Sequence, residues 1–594
     1  MADGGANFAS GAGNPRDGMS GLERLIDIGL ALSAERNHDR LTERILLEAI
    51  DITKADGGTL YLRTEEDTLK FVIVRTGTLK IAMGGTTGVP INFPPLKMYN
   101  PETKQPNHNN ISTYAALTGK TINIPDAYEA EGFDFSGTKK FDAGTGYRSK
   151  SFLTIPLKNY SDAVIGVLQL INANDGNGNV IPFSAEVQRL VEALASQAAV
   201  AIDNQQLIEA QKALMDSLIK VMAHAIDAKS PYTGGHCQRV PELTRMLAEK
   251  AVASEEGQFK DFALSEADWY ELHVAAWLHD IGKVTTPEFV VDKATKLQTI
   301  YDRIHEVRMR FEVLRRDAEI KMLKAIAKGK SARVERKKFK ERCKELDEQW
   351  KFIADANIGG EFMSKEKQDK VKEIGAQKWY RYYDRSLGLA WAESKLFADT
   401  PPPAEGFESL LADLPEHGRA EYHLGEILNM CIARGTLNDD ERKKINDHIV
   451  LTIDMLKELP FPKHMKRVPE YAGGHHEKMD GTGYPNKLRG EQMSLPARIM
   501  AIADIFEALT AADRPYKKAK TLSESVKILY FMKKDKHVDA DLFELFLSSG
   551  AYKDYAEQFL RPEQVDTVNI EQYLDSKKPP APPPQPQPQK QAAE

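Results

Sequence analysis

His475-His-Glu-Lys-Met-Asp-Gly-Thr-Gly-Tyr-Pro485 sets two imidazoles side by side, then a carboxylate, then a glycine-tyrosine-proline turn. Gly481 and Gly483 permit close backbone approach, so the string reads as a loop placed against a ligand. Helical patterns flank it. Upstream, Glu441-Arg-Lys-Lys-Ile-Asn-Asp-His-Ile-Val-Leu-Thr-Ile453 puts His448 on the apolar side, near Ile445, Ile449 and Thr452. Downstream, Ala501-Ile-Ala-Asp-Ile-Phe-Glu-Ala-Leu-Thr510 sets Asp504 amid Ile499, Ile502, Ile505 and Phe506. A carboxylate in such surroundings is costly unless a cation or hydrogen bonds compensate. Further upstream, the apolar run Leu272-His-Val-Ala-Ala-Trp-Leu278 ends in His279-Asp280, with Gly282-Lys283 following. Adjacent helical residues point about 100° apart, so this pair can hold one ion together or bridge two, Asp280 using both oxygens.

Outward from these strings, almost every segment from Met215 to about Ser576 reads as helix. Residues from about 310 to 430 are charge-dense, as in Arg333-Val-Glu-Arg-Lys-Lys-Phe-Lys-Glu-Arg342, and read as solvated faces of an inserted helical arm. The chain before Asn204 has a different pattern. An amphipathic helix at Leu25, Ile28, Ala31 and Leu32 precedes strand-like runs at 58–62, 69–74, 151–157 and 163–171, expected to form a mainly antiparallel sheet. Asp175-Gly-Asn-Gly-Asn179 reads as a turn. A long helix from Ala185 carries Val187, Leu190, Leu194 and Ala198 and runs on through Leu207, Leu214 and Leu218. Residues 1–20 are expected to be a disordered tail, and so is the Pro/Gln-rich end at 577–594.

The whole chain of 594 residues carries 80 basic and 87 acidic residues, a net charge of −7 that argues against a long nucleic acid as partner. Three separated cysteines exclude a disulfide framework and fit a reducing cytoplasm. No apolar run approaches the roughly 18 to 20 residues of a membrane span, so no membrane is expected.

The N-terminal pattern resembles a GAF domain, a sensor fold, including Phe133-Asp-Phe-Ser-Gly-Thr-Lys-Lys140 and Gly146-Tyr-Arg-Ser-Lys-Ser-Phe-Leu-Thr-Ile-Pro-Leu157. The helical region is similar to the HD-GYP family of cyclic di-GMP phosphodiesterases, a branch of the HD hydrolases. That resemblance covers roughly 210–306 and 432–547. Together they imply an α+β GAF domain at 21–205, a linker helix at 206–230, and an all-α HD-GYP domain at 231–576 containing the charged insertion.

The resemblance implies a metal set of His236, His279, Asp280, His448, His475, His476 and Asp504. His236 enters through Tyr232-Thr-Gly-Gly-His236, and Asp504 through the helix after the loop. Two residues compete for the family's remaining histidine, found about 26 residues before the paired ones and 11 after a leucine. His305 lies eight residues after Leu297 and 170 before His475, whereas His448 lies 11 after Leu437 and 27 before His475. His448 fits. Seven nitrogen and oxygen ligands without a thiolate suit two divalent ions such as iron or manganese. Tyr232 stands where some relatives carry a glutamate for a third metal, so two are expected.

The implied activity is hydrolysis of cyclic di-GMP to linear pGpG, and onward to GMP as a further step. Another cyclic dinucleotide as substrate, or a non-catalytic dinucleotide receptor, stays open. Asp280 is expected to bridge the ions, and Lys283 to stabilise phosphate charge or protonate the leaving oxygen. Asp513-Arg-Pro-Tyr-Lys517 resembles the family's substrate segment and implicates Arg514 and Lys517. Asp480 and Tyr484 are further candidates, Tyr484 either stacking on a base or packing the loop. The sensor's small-molecule ligand is unknown, and the long helix suggests a parallel homodimer.

Overall fold

The computed structural model describes residues 21–229, 235–360, 362–389, 391–395, 403–413, 425–512 and 519–574. The chain divides into two compact units, Met1–Asp216 and Ser217–Glu594.

The first unit is built on one antiparallel sheet. Its strands are β1 (Ala55–Arg63), β2 (Thr68–Thr76), β3 (Ile81–Gly84), β4 (Leu96–Lys97), β5 (Ile122–Ile124), β6 (Phe152–Lys158), β7 (Val164–Asn174) and β8 (Val180–Ile181). The order is β3-β2-β1-β7-β6-β5, with β4 on β2 and β8 on β7. All four strand runs expected from sequence are present. Side chains alternate between faces, and both faces are covered. Leu60, Leu153, Ile155, Leu168 and Leu170 meet α1 (Gly21–Ala34), α2 (His38–Thr53) and the start of the long helix. Tyr61 and Val167 turn the other way, onto Ala115 and Ala116 of α3 (Ile111–Thr118). On that second face Gln169 donates to Ser112 Oγ at 3.0 Å and Thr154 Oγ1 at 3.3 Å, so the chain's own polar groups satisfy it. After α4 (Ser136–Thr145) and β7, Asp175 accepts from the amides of Asn177 and Asn179 in the expected turn. Helix α5 then runs from Ala185 to Lys229 as one element.

The second unit is mainly helical. Its core joins α6 (His236–Val252), α7 (Glu266–Leu278), α15 (Val468–Gly473), α16 (Leu495–Thr510), α17 (Leu522–Lys534), α18 (Ala540–Ser548) and α19 (Ala551–Phe559) through residues such as Val240, Leu272, Tyr471, Phe506 and Phe546. Phe506 and Phe546 meet edge to face at 4.9 Å. Between these helices in sequence come α8 (Glu288–Val291) and the arm: α9 (Ile304–Ala327), α10 (Ala332–Asn357), α11 (Lys365–Gly375), α12 (Trp391–Ser394) and α13 (Glu426–Met430). α14 (Asp439–Glu458) follows, started by a capping box of Asn438 and Glu441.

The arm has an apolar core of its own, including Phe311, Leu314, Leu346, Ile353 and Val371. It also holds a two-stranded sheet, β9 (Lys378–Arg381) with β10 (Gly406–Ser409), which corrects the expectation of an all-α second region. Its core reaches back to Leu297, before the stretch read as the arm begins. Among the described residues no helix is long and apolar enough to cross a membrane.

Candidate metal centre

The structure brings all seven sequence-derived ligands together in the second unit. His236 opens α6, Asp280 follows α7 by way of His279, and His448 sits midway along α14. His475 and His476 follow α15 directly, and Asp504 lies on α16. They form two groups: His236, His279, Asp280 and Asp504, and Asp280, His448, His475 and His476. Within each group one candidate ligand atom from every residue lies within 4.8 Å of the others.

Asp280 belongs to both. Its Oδ2 lies 3.2 Å from His236 Nε2 and 3.2 Å from His279 Nε2, whereas its Oδ1 lies 3.2 Å from His448 Nε2. His448 Nε2 and His476 Nε2 face each other at 3.2 Å, and Asp504 Oδ1 is 3.4 Å from His236 Nε2. Most of the constellation is buried, with His476 and Asp504 partly exposed. His279, Asp280 and His475 are buried, and His279 Nε2, His475 Nε2 and Asp280 Oδ1 have no hydrogen-bond partner. Buried nitrogen and oxygen atoms without hydrogen-bond partners, in two groups that share Asp280, fit divalent cations.

The imidazoles are oriented from behind. The Nδ1 atoms of His279 and His475 donate to the carbonyls of Ala276 (2.8 Å) and Ala472 (2.6 Å), and that of His448 to Ile445. In each case the acceptor lies three residues earlier, so helical backbone selects the tautomer that leaves Nε2 bare toward the centre. His236 opens its helix and is held differently. Its Nδ1 instead donates to Glu507 at 2.5 Å, and Arg239 holds the other Glu507 oxygen at 2.7 Å. The sequence reading gave Glu507 no role. Its signal was its place three residues after Asp504, on the same face of α16.

Charge follows this geometry. Burial opposes protonation of His236, but Glu507 and Asp280 raise it to about 9. Burial likewise opposes charge on His279, which Asp280 raises to about 10. Burial and the neighbouring His279 push His475 down to about 4. Burial would raise Asp504, yet the imidazoles of His279, His475 and His236 hold it well below the usual carboxylate range.

Gly282 allows the two groups to meet. A Cβ there would stand 1.9 Å from the His448 carbonyl oxygen, so only glycine admits α14 this close. The Gly282 amide donates to Thr452 Oγ1 at 2.9 Å, locking the same approach. The loop of the paired histidines folds around Glu477, which is buried and accepts from the amides of Asn486 (2.7 Å) and Leu488 (3.0 Å). Gly483 is required there too, since a Cβ would lie 2.5 Å from Glu477 Cα.

The remaining candidates divide. Lys283 Nζ lies 2.5 Å from Asp280 Oδ2, beside the first group. Tyr484 stacks on the His476 ring at 4.9 Å and 16°. Asp480 is exposed and accepts from the amide and hydroxyl of Thr482, both at 2.8 Å, which makes it a turn former outside both groups. His305 is exposed on the first turn of α9 and joins neither group. Arg514 and Lys517 lie outside the described residues.

Comparison with known proteins adds two domain matches. The GAF domain family model matches residues 37–202, and that of the HD domain matches residues 415–542. His236, His279 and Asp280 precede the second match, because the arm separates them from it in sequence. The 3'3'-cGAMP-specific phosphodiesterase 1 of Vibrio cholerae serotype O1 is 38% identical over 116 residues, 20% of this chain and 26% of that protein. The cyclic di-GMP phosphodiesterase response regulator RpfG of Xanthomonas campestris pv. campestris is 54% identical over 56 residues, 9% of this chain and 15% of that protein. The chain thus spans about a quarter or less of the length of these two relatives. A solved GAF domain from an Acinetobacter phosphoenolpyruvate-protein phosphotransferase is 16% identical, covering 32% of this chain and 99% of that one, with a TM-score of 0.24. On the two domain matches, the chain carries a GAF domain followed by an HD domain.

Proposed function

We propose that the chain hydrolyses a cyclic dinucleotide, cyclic di-GMP in the first place, at a centre of two divalent cations, and that the GAF domain regulates it. The observation that carries this reading is Asp280, whose two oxygens face two separate groups of imidazoles. Two cations held there would supply an activated water and neutralise the charge gathering on a phosphodiester in transit. His236, His279 and Asp504 would hold one and His448, His475 and His476 the other, with Asp280 between. Three backbone carbonyls and Glu507 keep the Nε2 atoms aimed inward. Lys283, tethered to Asp280, is placed to steady phosphate charge at the edge of the first group. Tyr484 covers one face of His476 and so shields that ligand from water. Arg514 and Lys517 are proposed to grip substrate phosphates. Attack of one water at one of the two phosphodiesters gives linear pGpG, and attack of a second water at the remaining one gives two GMP.

A second substrate, 3'3'-cGAMP, is favoured by the match to the Vibrio cholerae enzyme named for it. Incubating manganese- or iron-loaded protein with each dinucleotide and separating the products by chromatography tests both. Protein that retains two metals per chain yet consumes neither compound would defeat the proposal.

The domain limits proposed are 21–205 for the sensor, 206–230 for the linker and 231–576 for the catalytic region, with the arm inserted at about 310–430. A parallel homodimer is proposed from α5, whose exposed Val200, Leu207, Leu214 and Val221 recur every seven residues.

A further inference from the structure

Helix α5 begins against the core of the first unit, through Val191, Leu194, Ala198 and Ile202, and ends in the core of the second, through Ile219, Ala223 and Ile226. Its last turn does more than pack. Asp227, buried, accepts from the Gly235 amide at 3.1 Å, and Gly235 immediately precedes His236. Two residues on, Lys229 Nζ donates to the carbonyl of Lys283 at 3.3 Å and to that of Val284. Those carbonyls belong to the short turn that follows Asp280. One turn of one helix therefore holds the backbone beside two ligands of the same metal group. Between them lies a small cavity lined by Ile226, Asp227, His236, Cys237, Asp280 and Lys283. Lys229, Glu288 and Val291 complete its lining, so the end of α5 and both ligand segments border one space.

We propose that this turn is the contact through which the GAF domain acts on the metal centre, with Asp227 and Lys229 as positioning residues for His236 and Asp280. Neither touches a ligand's coordinating atom; each fixes backbone next to one. The proposal deepens the reading of the metal centre and rests on it. Displacement of α5 along or about its axis would then act most strongly on the first group, which holds both His236 and Asp280, and reach the second only through the shared Asp280.

The test uses the full chain and manganese(II) as probe. Lys229→Met and Asp227→Asn are expected to weaken one of two manganese sites about tenfold, the size typical when a partner behind a ligand is removed. The other site, which shares only Asp280 with the first, weakens less, and the unfolding temperature stays near that of the parent. Lys229→Arg, which keeps the donor, restores the affinity. Insertions in the exposed stretch 209–212 of α5 probe transmission. With 3.6 residues per turn, two added residues face the end of the helix the wrong way, whereas seven nearly restore its phase. The two-residue insertion is expected to weaken the first site and the seven-residue insertion to spare it, and Lys229→Met is expected to abolish that difference. Equal manganese affinity across all variants would overturn the proposal. So would loss of both sites together with a fall in unfolding temperature, which marks a merely structural role. Because the readout is metal affinity, the outcome stands apart from turnover: intact coupling in a protein that cleaves no dinucleotide would sink the proposed function alone.

Discussion

Imidazoles near a metal-binding constellation are useful only when the correct nitrogen faces inward, and this chain solves that problem in two ways. Helical backbone three residues earlier serves His279, His448 and His475, whereas His236 depends on the Glu507 carboxylate. Glu507→Gln keeps the shape but loses the charge and the strong acceptor. It is expected to weaken metal binding at the first group about 10- to 100-fold, measured by competition with a chelator, with little change at the second. Gly282 is the other single residue on which the centre turns. Gly282→Ala forces α14 away from Asp280, since the added carbon would fall 1.9 Å from the His448 carbonyl. Overpacking of this kind costs about 1–3 kcal/mol, so a lowered denaturation midpoint together with loss of the second metal is expected. Retention of both metals in that variant would show that α14 can yield without moving His448.

At the scale of elements, α14 and α5 decide how the centre is assembled. α14 is tied to the root of the arm by Lys293, buried, whose ammonium meets both Glu441 oxygens at 2.7 and 2.8 Å. Glu441 also caps the helix, so the pair fixes where α14 begins and, two turns on, where His448 stands. Lys293→Met leaves a buried carboxylate uncompensated and is expected to cost about 3–5 kcal/mol, read by urea unfolding. A cost under 1 kcal/mol would mean the pair is not what holds the arm. For α5, the seven-residue spacing of Leu207, Leu214 and Val221, all more than half exposed, is the basis of the proposed homodimer. Leu214→Glu is expected to convert a dimer to a monomer by light scattering. A wild-type protein that is already monomeric would remove the proposed seam.

For the whole molecule, the metals would stabilise only the unit that holds them. Chelation is expected to lower the unfolding transition of the second unit and leave that of the first unchanged in calorimetry. Bound ligand at a hundred times its dissociation constant adds about 2.7 kcal/mol per site. A chelator that shifts both transitions equally would contradict confinement of the sites to the second unit. Each unit has a buried apolar cluster of its own among the described residues, which is the basis of this expectation. Much of this organisation was readable beforehand. Short apolar runs such as 163–171, closed by the turn residues 175–179, announced the sheet because such runs need no distant partner to be seen. The arm's hairpin of β9 and β10 was not readable, because four-residue strands in a charged, aromatic stretch carry too little periodicity.

The sequence by itself determined which residues could serve as ligands, since paired histidines, the His279-Asp280 step and the lone Asp504 among apolar neighbours are chemically conspicuous wherever they fall. Set against the spacing that the family resemblance implies, it also favoured His448 over His305. Only the tertiary structure decided that Asp280 divides its oxygens between two groups, that Glu507 stands behind His236, and that Gly282 is where α14 comes to rest. Those facts depend on contacts between segments 40 to 270 residues apart, and local pattern holds no record of which buried backbone atom will lie against which.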